Sequence, residues 1–322
     1  MSDTVASLRA FRRYAWFVLG LCVGVVLWGA YVRATGSGAG CGGHWPLCNG
    51  EVLPRSASTA TLIEFTHRLT SGLVFVTVAV LQFWAFRSFP RRHPVRRAAT
   101  LSMIFMVSEA LLGAGLVVFG LVGENDSMAR AWMMAFHLIN TFLLLASLCL
   151  AAWWASGNPA PGRHALTWRA LPIAALLAGL LTLGISGAVA ALGDTLFPAA
   201  SLSEALSKDF SSQSHLLLQL RVYHPLVAFL VATLLLAALH MVYRNPFDES
   251  VRKLGLLTLA ILLVQLGLGI TNLLLMAPVW LQILHLAAAD LLWIVAVLFS
   301  SATLHGLQEI RTTALQAAQT AV

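Results

Sequence analysis

Long apolar stretches separated by short polar connections recur along almost the whole chain. We predict eight such stretches, each about 20 residues long, which is enough for an α-helix to cross a hydrocarbon core of about 30 Å. The predicted spans cover residues 14–33, 62–86, 98–120, 131–154, 170–192, 214–242, 254–275 and 279–303. The pattern predicts an all-α integral membrane protein with eight transmembrane helices.

The composition agrees with this class of protein. Hydrophobic residues make up 59% of the chain and charged residues only 10%, whereas soluble domains contain about 25% charged residues. The formal net charge of +7 does not indicate nucleic acid, because the basic residues follow the connections between spans. We therefore expect membrane lipid around the chain and no nucleic-acid partner.

Basic residues are concentrated in alternate connections. These residues are Arg87, Arg91, Arg92, Arg96 and Arg97 after span 2, Arg163 and Arg169 before span 5, and Arg244, Arg252 and Lys253 after span 6. The other connections carry mostly acidic residues, namely Glu51, Glu124, Asp126, Asp194, Glu204 and Asp209. The positive-inside rule places both termini in the cytoplasm and the acidic connections outside. We expect a multi-pass protein of the cell (plasma) membrane whose first span is retained as an anchor.

The two halves of the chain resemble each other at an offset of roughly 150 residues. Span 2 carries EFTHRLTSGL where span 6 carries RVYHPLVAFL, and span 4 carries AWMMAFHLIN where span 8 carries VWLQILHLAA. Each half contains an even number of spans, so both enter the membrane in the same orientation and should be related by a pseudo-twofold axis along the membrane normal. We predict two four-helix bundles side by side, formed by residues 1–160 and 161–322.

One histidine lies near the start of each even-numbered span, namely His67, His137, His224 and His285. An imidazole in lipid is costly unless it binds something, and two imidazoles from facing helices commonly hold a haem iron. A single intramembrane histidine is more often a helix–helix hydrogen-bonding residue. Four histidines at matched depth and repeat position favour ligation, so the sequence predicts one bis-histidine haem site in each half, towards the extracytoplasmic side.

The two predicted sites differ in the charged residue that precedes the first histidine. Glu64 lies one helical turn before His67, whereas the equivalent position in the second half is Arg221. A carboxyl group at this depth must be protonated, paired or used in the reaction, and an ion pair with Arg68 or Arg33 is the structural alternative. An acid suits charge stabilisation or proton handling, and an arginine suits a haem propionate. We infer that the N-terminal site reacts and that the C-terminal site holds a resident cofactor.

Two further acidic residues lie inside spans. The counterpart of Glu109 in the second half is Gln265, which suggests a hydrogen-bonding role, with proton transfer as the alternative. Asp290 follows His285 by five residues and so points to a different helix face. The sequence assigns it no role.

The four cysteines divide into two groups. Cys41 and Cys48 lie in the first external connection, where an oxidising compartment would allow a disulfide, and two free thiols are the alternative. Cys22 and Cys149 lie within spans and are expected to be small apolar residues of the core.

These motifs together resemble the haem A synthase family, whose members take part in cytochrome oxidase biogenesis. The segment from Val32 to Cys48 is similar to the family pattern VRxTGSGxxC…WPxC, and EFTHR matches its E-x-x-H-R. The chain departs from the pattern at GGH before Trp45, where Pro and Asp are expected. It also has His224-Pro225 where the first half has a histidine followed by arginine.

The resemblance implies a haem-dependent oxidoreductase. Similar proteins oxidise the ring methyl of haem O to a formyl group by successive hydroxylations, through an alcohol. The resemblance further implies that His67 and His137 bind the substrate haem O, and that His224 and His285 ligate a haem B cofactor.

The resemblance also gives roles to residues at the external end. Glu64 would be the catalytic acid, and Cys41 and Cys48 would form the external disulfide. Candidate propionate or charge partners are Arg33, Arg68 and Arg221.

The chain contains no flavin, nicotinamide or iron–sulfur motif, so electrons must come from an external donor of unknown identity. A haem with an isoprenoid tail is most easily delivered within the bilayer, and we expect contact with a haem O synthase. The sequence leaves the oligomeric state open, a homo-oligomer included.

Three other functions remain compatible with the sequence. They are a two-haem electron-transfer cytochrome, a thiol–disulfide enzyme using the external cysteines, and a haem-binding transporter or chaperone. Histidines at one depth argue against a relay across the membrane, and only Glu64 distinguishes an enzyme from a transporter.

Overall fold

The structure is a computed structural model that describes residues 2–55, 57–162 and 168–320, and Arg163 therefore lies outside the described residues. The helices in these ranges are α1 (Ser2–Ala34), α2 (Thr59–Ser88), α3 (Pro94–Val118), α4 (Met128–Ala155), α5 (Leu171–Leu196), α6 (Leu202–Asp209), α7 (Leu216–Arg221), α8 (Tyr223–Arg244), α9 (Glu249–Leu274) and α10 (Val279–Thr320). Eight helical segments within them are long and apolar enough to cross a membrane. The chain is a multi-pass, all-α membrane protein, as predicted.

Polar residues in the connections fix where the helices begin. The hydroxyl of Ser58 accepts a hydrogen bond from the backbone N–H of Thr61 at 3.1 Å and so caps α2. The hydroxyl of Ser127 caps α4 in the same way, accepting from Arg130 N at 3.3 Å. Such caps satisfy backbone donors that have no partner within the helix.

Span 6 is not the single continuous helix that we predicted. It consists of α7 and α8, which are separated at Val222. Pro225 explains the break, because proline has no N–H to donate to the carbonyl of Arg221 one turn earlier. The break places Arg221 at the end of one helix and His224 in the first turn of the next.

Each half forms a closed ring of four spanning helices. In the first half, α1 and α3 each pack against both α2 and α4, and in the second half α5 and α9 each pack against both α8 and α10. The halves meet through the pairs α4–α10, α4–α5 and α1–α10. Exchanging each helix for its counterpart in the other half reproduces these three pairs, as a twofold axis requires. This favours the pseudo-twofold relation, which stays a prediction.

Helices α4 and α10 lie at the centre of the molecule. About half of their spanning segments is buried (50% and 56%), against 17–28% for the other spans. At their contact the ring of Phe142 stacks on Trp293 with centroids 5.2 Å apart, and Trp293 Nε1 donates to the carbonyl of Phe142 at 2.6 Å. Aromatic packing between equivalent helices therefore joins the two halves.

Candidate functional site

In the N-terminal half, each predicted histidine ligand lies against a glycine of the preceding helix. A Cβ atom added to Gly29 on α1 would lie 2.8 Å from Cε1 of His67 on α2, closer than Cβ atoms approach other atoms in real structures. A Cβ atom added to Gly113 on α3 would lie 3.9 Å from Cε1 of His137 on α4. The absence of a side chain at Gly29 is what makes room for the His67 ring.

The C-terminal half repeats this arrangement. A Cβ atom added to Gly187 on α5 would lie 3.1 Å from Cε1 of His224 on α8. A Cβ atom added to Gly269 on α9 would lie 3.3 Å from Cε1 of His285 on α10. Four glycine–histidine contacts thus occupy corresponding positions in the two bundles.

The structure brings His224 and His285 together across the second bundle. Their ring centroids are 6.5 Å apart and their planes are inclined at 79°. Two imidazoles that coordinate one metal ion at about 2 Å each have ring centroids about 6 Å apart. The spacing fits a metal ion between the two rings. His67 and His137, both within the described residues, lie on the corresponding diagonal pair of helices but show no comparable ring contact.

Nitrogen atoms of these rings lack the partners that buried polar atoms normally have. Within the described part of the chain, Nδ1 of His67, His137 and His285 is buried without a hydrogen-bond partner. The other ring nitrogen of His285, Nε2, lies 3.2 Å from Nε2 of Gln265. Nδ1 of His224 is hydrogen-bonded to the hydroxyl of Ser186 at 2.9 Å. The unpaired nitrogens of His67 and His285 leave room for a ligand that the described residues do not supply, whereas Nδ1 of His137 faces the carboxyl group of Glu109.

Glu109 stands beside His137. Its Oε1 atom lies 3.5 Å from Nδ1 of His137, without the geometry of a hydrogen bond. Two groups of α4 hold the carboxyl in place, the hydroxyl of Thr141 and the side-chain amide of Asn140, each at 2.5 Å. Gln265, its counterpart in the repeat, contacts His285. The residue at this position therefore meets the histidine of the following span in both halves.

Glu64 forms the ion pair with Arg68 that was the structural alternative for this residue. Its Oε1 atom accepts from Nη2 of Arg68 at 2.5 Å and from Nε at 3.1 Å. Its Oε2 atom accepts from the backbone N–H of Cys41 at 2.8 Å, and the residue is only 3% exposed. Both oxygens of the carboxylate therefore already have donors.

The Glu64–Arg68 pair also attaches the loop between α1 and α2 to α2. Cys41 and Cys48 form the predicted disulfide. Nη1 of Arg68 donates to the carbonyls of His44 and Leu47, both at 2.6 Å, inside the loop that this disulfide closes. The segment of residues 41–48, called the disulfide loop below, is held at both its beginning and its end.

Arg33 does not pair with Glu64 but reaches from α1 into the second half. Its guanidinium group donates to the carbonyl of Ala191 at 2.8 Å, to the hydroxyl of Thr195 at 2.5 Å and to Oε1 of Gln282 at 2.9 Å. All three acceptors are neutral.

Arg221 is surrounded by acidic residues. It pairs with Asp194 at the end of α5 and with Oδ1 of Asp209 at 2.5 Å, at the end of α6. Arg221, the counterpart of Glu64, is thus also engaged in ion pairs, so the corresponding end of each half carries a charged residue with partners of opposite sign.

A family described as cytochrome oxidase assembly protein (COX15-CtaA) matches residues 12–297. The chain belongs to this family. The match begins within α1 and ends near the middle of α10, so it covers all or most of each span. It includes every residue of the candidate sites.

Several curated relatives are similar to the chain over part of their length. A protein of Thermus thermophilus named Protoheme IX farnesyltransferase is 49% identical over 294 residues, which are 90% of this chain and 48% of the relative. The Heme A synthase of Halalkalibacterium halodurans is 37% identical over 137 residues, 42% of this chain and 44% of the relative. The Heme A synthase of Lysinibacillus sphaericus is 39% identical over 112 residues, 34% of this chain and 36% of the relative. The chain spans about half or less of the length of these relatives.

Sequence reasoning missed two features of the sites in this family member. It did not connect Glu109 with His137, because that contact depends on how two helices are rotated against each other. It also did not connect Gly29 with His67 or Gly187 with His224, although one signal was available. The Gly-Ala pairs at 29–30 and 187–188 align in the repeat.

Asp290 remains without a role. It is fully buried in α10, and neither carboxyl oxygen has a hydrogen-bond partner among the described residues. Nothing in the structure explains why an acid occupies this position.

Proposed function

We propose that the chain is a haem A synthase, an oxidoreductase that converts the ring methyl of haem O to a formyl group by successive hydroxylations. The observation that carries this proposal is the repeated pairing of intramembrane histidines, each with a glycine opposite it. Membership of the cytochrome oxidase assembly family supports it, as do relatives named Heme A synthase.

We further propose different tasks for the two halves. Residues 1–160 would bind haem O through His67 and His137, and residues 161–322 would hold haem B through His224 and His285. The unpaired ring nitrogens of His67 and His285, the glycine contacts and the 6.5 Å spacing of the C-terminal rings fit such ligands. Haem B, when bound, would supply one-electron chemistry that side chains cannot provide. Each hydroxylation would take one oxygen atom from an external oxidant such as O2, and two electrons from an external donor of unknown identity would reduce the other oxygen atom to water.

Glu64 is the proposed catalytic residue of the N-terminal half. Because Arg68 and the backbone N–H of Cys41 already donate to its two oxygens, it would act as a fixed negative charge rather than as a mobile proton carrier. A carboxylate held one turn from His67 would favour positive charge that develops on the substrate during oxidation. The disulfide loop would keep water from this end of the site.

Among the three candidate arginines, Arg33 is the best placed to bind a haem propionate. Arg68 and Arg221 already neutralise carboxylates. Arg33 contacts only neutral acceptors within the described residues and lies beside the C-terminal bundle. A propionate could therefore add a charge-assisted hydrogen bond without displacing another acid.

We propose that Glu109 is a positioning residue that acts through His137. A ligating histidine usually hydrogen-bonds through its other ring nitrogen to a carboxylate or carbonyl, which fixes the ring orientation. Replacing Glu109 with Gln should weaken binding of haem at the N-terminal site by about 10- to 100-fold and shift its absorption and paramagnetic resonance spectra. The control is Ser108→Ala, because Ser108 contacts Asn140 but not His137. An unchanged spectrum in Glu109→Gln would contradict the positioning role.

We also propose that the chain receives its substrate from a haem O synthase within the plasma membrane. The Thermus thermophilus relative named Protoheme IX farnesyltransferase is about twice as long as its matched segment. Its name describes attachment of an isoprenoid tail to protohaem, which produces the class of substrate proposed here. A partner of that chemistry could pass the tailed haem laterally through the bilayer.

The proposal is tested by co-expression with a haem O synthase, purification and identification of the extracted haems by chromatography and mass. The expected result is haem B together with hydroxylated or formyl derivatives of haem O. His67→Ala should lose the haem O derivatives and keep haem B, and His285→Ala should lose haem B. Recovery of haem B alone, with haem O available, would instead indicate an electron-transfer cytochrome.

A second variant tests Glu64. Glu64→Gln should bind haem O and leave it unoxidised, because the amide lacks the negative charge. Unaffected conversion by this variant would remove the catalytic assignment.

A further inference from the structure

The connection between α2 and α3 carries more positive charge than membrane orientation requires. Residues 87–97 contain five arginines and no acidic residue, whereas the corresponding connection in the second half, residues 244–253, balances three basic residues against two acidic ones. In the second half, an excess of one positive charge in this connection is enough for membrane orientation. The surplus in the first half therefore calls for another explanation.

Most of these arginines surround one open cavity. The cavity has a volume of about 520 Å³. Four of its lining residues are arginines, namely Arg91, Arg92, Arg96 and Arg97. Phe86 and Leu101, both nearly half exposed, add apolar surface to the same cavity. The guanidinium carbon of Arg96 lies 4.1 Å from the ring centroid of Phe86, so a cation–π contact holds this side chain over the apolar floor.

The positive charges in this cavity are not balanced by the protein. In the part of the chain that the structure describes, none of the four arginines forms an ion pair with an acidic side chain. The N-terminus of α3 lies in the same place, and its first turn contains Arg96 and Arg97 but no acid. Cations at a helix N-terminus are unfavourable because the helix dipole is positive there. Burial, and then the charge of Arg97, lowers the pKa of His93, which favours its neutral imidazole.

Two further features lie near this end of α2, namely an unusual backbone conformation and a second cavity. Arg92 adopts a φ of +70°, a left-handed conformation that is uncommon for a residue with a long side chain. A second cavity of about 460 Å³, at the same end of α2, is lined by Phe83, Trp84 and Arg87. Cationic groups thus border aromatic surface in both cavities, at the end of membrane-spanning helices.

We propose that this arginine cavity binds the headgroup of an anionic phospholipid. Guanidinium groups donate to phosphate oxygens through paired N–H groups. The lipid's acyl chains would run along the exposed faces of Phe86 and Leu101, which a free phosphate ion would leave uncovered. Basic pockets at the membrane surface commonly bind anionic lipid headgroups. This site lies at the opposite end of α2 from Glu64 and does not depend on the proposed haem chemistry.

The test uses the full chain purified in a neutral detergent, with phosphatidylglycerol and phosphatidylcholine of identical acyl chains as probes. Native mass spectrometry should show one phosphatidylglycerol retained at least about tenfold more strongly than phosphatidylcholine. The test variant replaces Arg91, Arg92 and Arg96 with Gln and should lose this preference. The matched control replaces Arg244, Arg252 and Lys253 with Gln in the second connection and should retain it.

Two results would overturn the proposal. One is retention of phosphatidylglycerol by the test variant at the level of the unchanged protein, and the other is equal loss in both variants, which would indicate bulk charge. Competition with soluble glycerol phosphate separates the two sources of a phosphate group. Displacement of phosphatidylglycerol by glycerol phosphate at a concentration equal to that of the lipid would show a headgroup-only site and refute the lipid assignment.

A measurement on the unchanged protein removes dependence on the folding of the variants. Added phosphatidylglycerol should slow amide hydrogen exchange in residues 86–101 and leave residues 243–254 unchanged. Equal exchange with and without the lipid would contradict the site.

Discussion

At three of the four candidate ligands, His67, His224 and His285, the glycine opposite the histidine determines how closely the neighbouring helix can approach. The clearest case is Gly29, where an added Cβ would lie 2.8 Å from the His67 ring. Helical glycine normally destabilises a helix by about 1 kcal/mol relative to alanine, so its presence there indicates that the ring needs the space.

The first prediction compares two glycines of the same helix. Gly29→Ala should destabilise the protein by about 1–3 kcal/mol because the His67 ring must shift, and should reduce haem recovered in the N-terminal site. Gly24→Ala, where no atom lies within 4 Å of the added Cβ, should be neutral or stabilising. Unfolding in detergent and haem content of each variant provide the measurement. Equal effects at the two positions would contradict a specific role for Gly29.

At the scale of elements, the disulfide loop is attached to α2 by one ion pair. Arg68 contributes to this attachment in two ways, since it neutralises Glu64 and donates to two loop carbonyls. Loop position and the charge near His67 are therefore coupled through the Glu64–Arg68 pair.

The second prediction concerns a variant that removes this coupling. Arg68→Gln leaves the Glu64 carboxylate buried without its cation, and breaking such a pair typically costs about 3–5 kcal/mol. We expect lower resistance to denaturation and faster hydrogen exchange in residues 41–48. The control is Lys253→Gln, which removes a pair whose side chains are 71% and 78% exposed and should change stability little. Similar losses in both variants would argue against the buried attachment.

At the scale of the whole molecule, the eight spans were predictable because hydropathy reports burial in lipid directly. The ends of the spans were less predictable. Helix α1 begins at Ser2 rather than residue 14, and α10 continues to Thr320 rather than ending at residue 303, because polar helix outside the membrane leaves no hydropathy signal. The partners of Arg33 in the other half were not predictable, since they depend on how the two bundles pack.

The third prediction concerns orientation in the membrane. Ser207 on α6 and Ser250 on α9 lie at opposite ends of the spans, and both are exposed. A membrane-impermeant maleimide should label Ser207→Cys on intact cells and Ser250→Cys only after permeabilisation. The native cysteines do not interfere, because two form the disulfide and Cys22 and Cys149 are buried. The reverse labelling pattern would place the termini outside.

The contact between α4 and α10 is consistent with an origin of the chain by gene duplication. Equivalent helices meet at the axis of a homodimer, so a four-helix ancestor that paired with a second copy of itself would have used this same surface. Gene duplication and fusion would then have released the two copies from being identical. One half could acquire Glu64 beside its first histidine while the other acquired Arg221, which no symmetric homodimer can do.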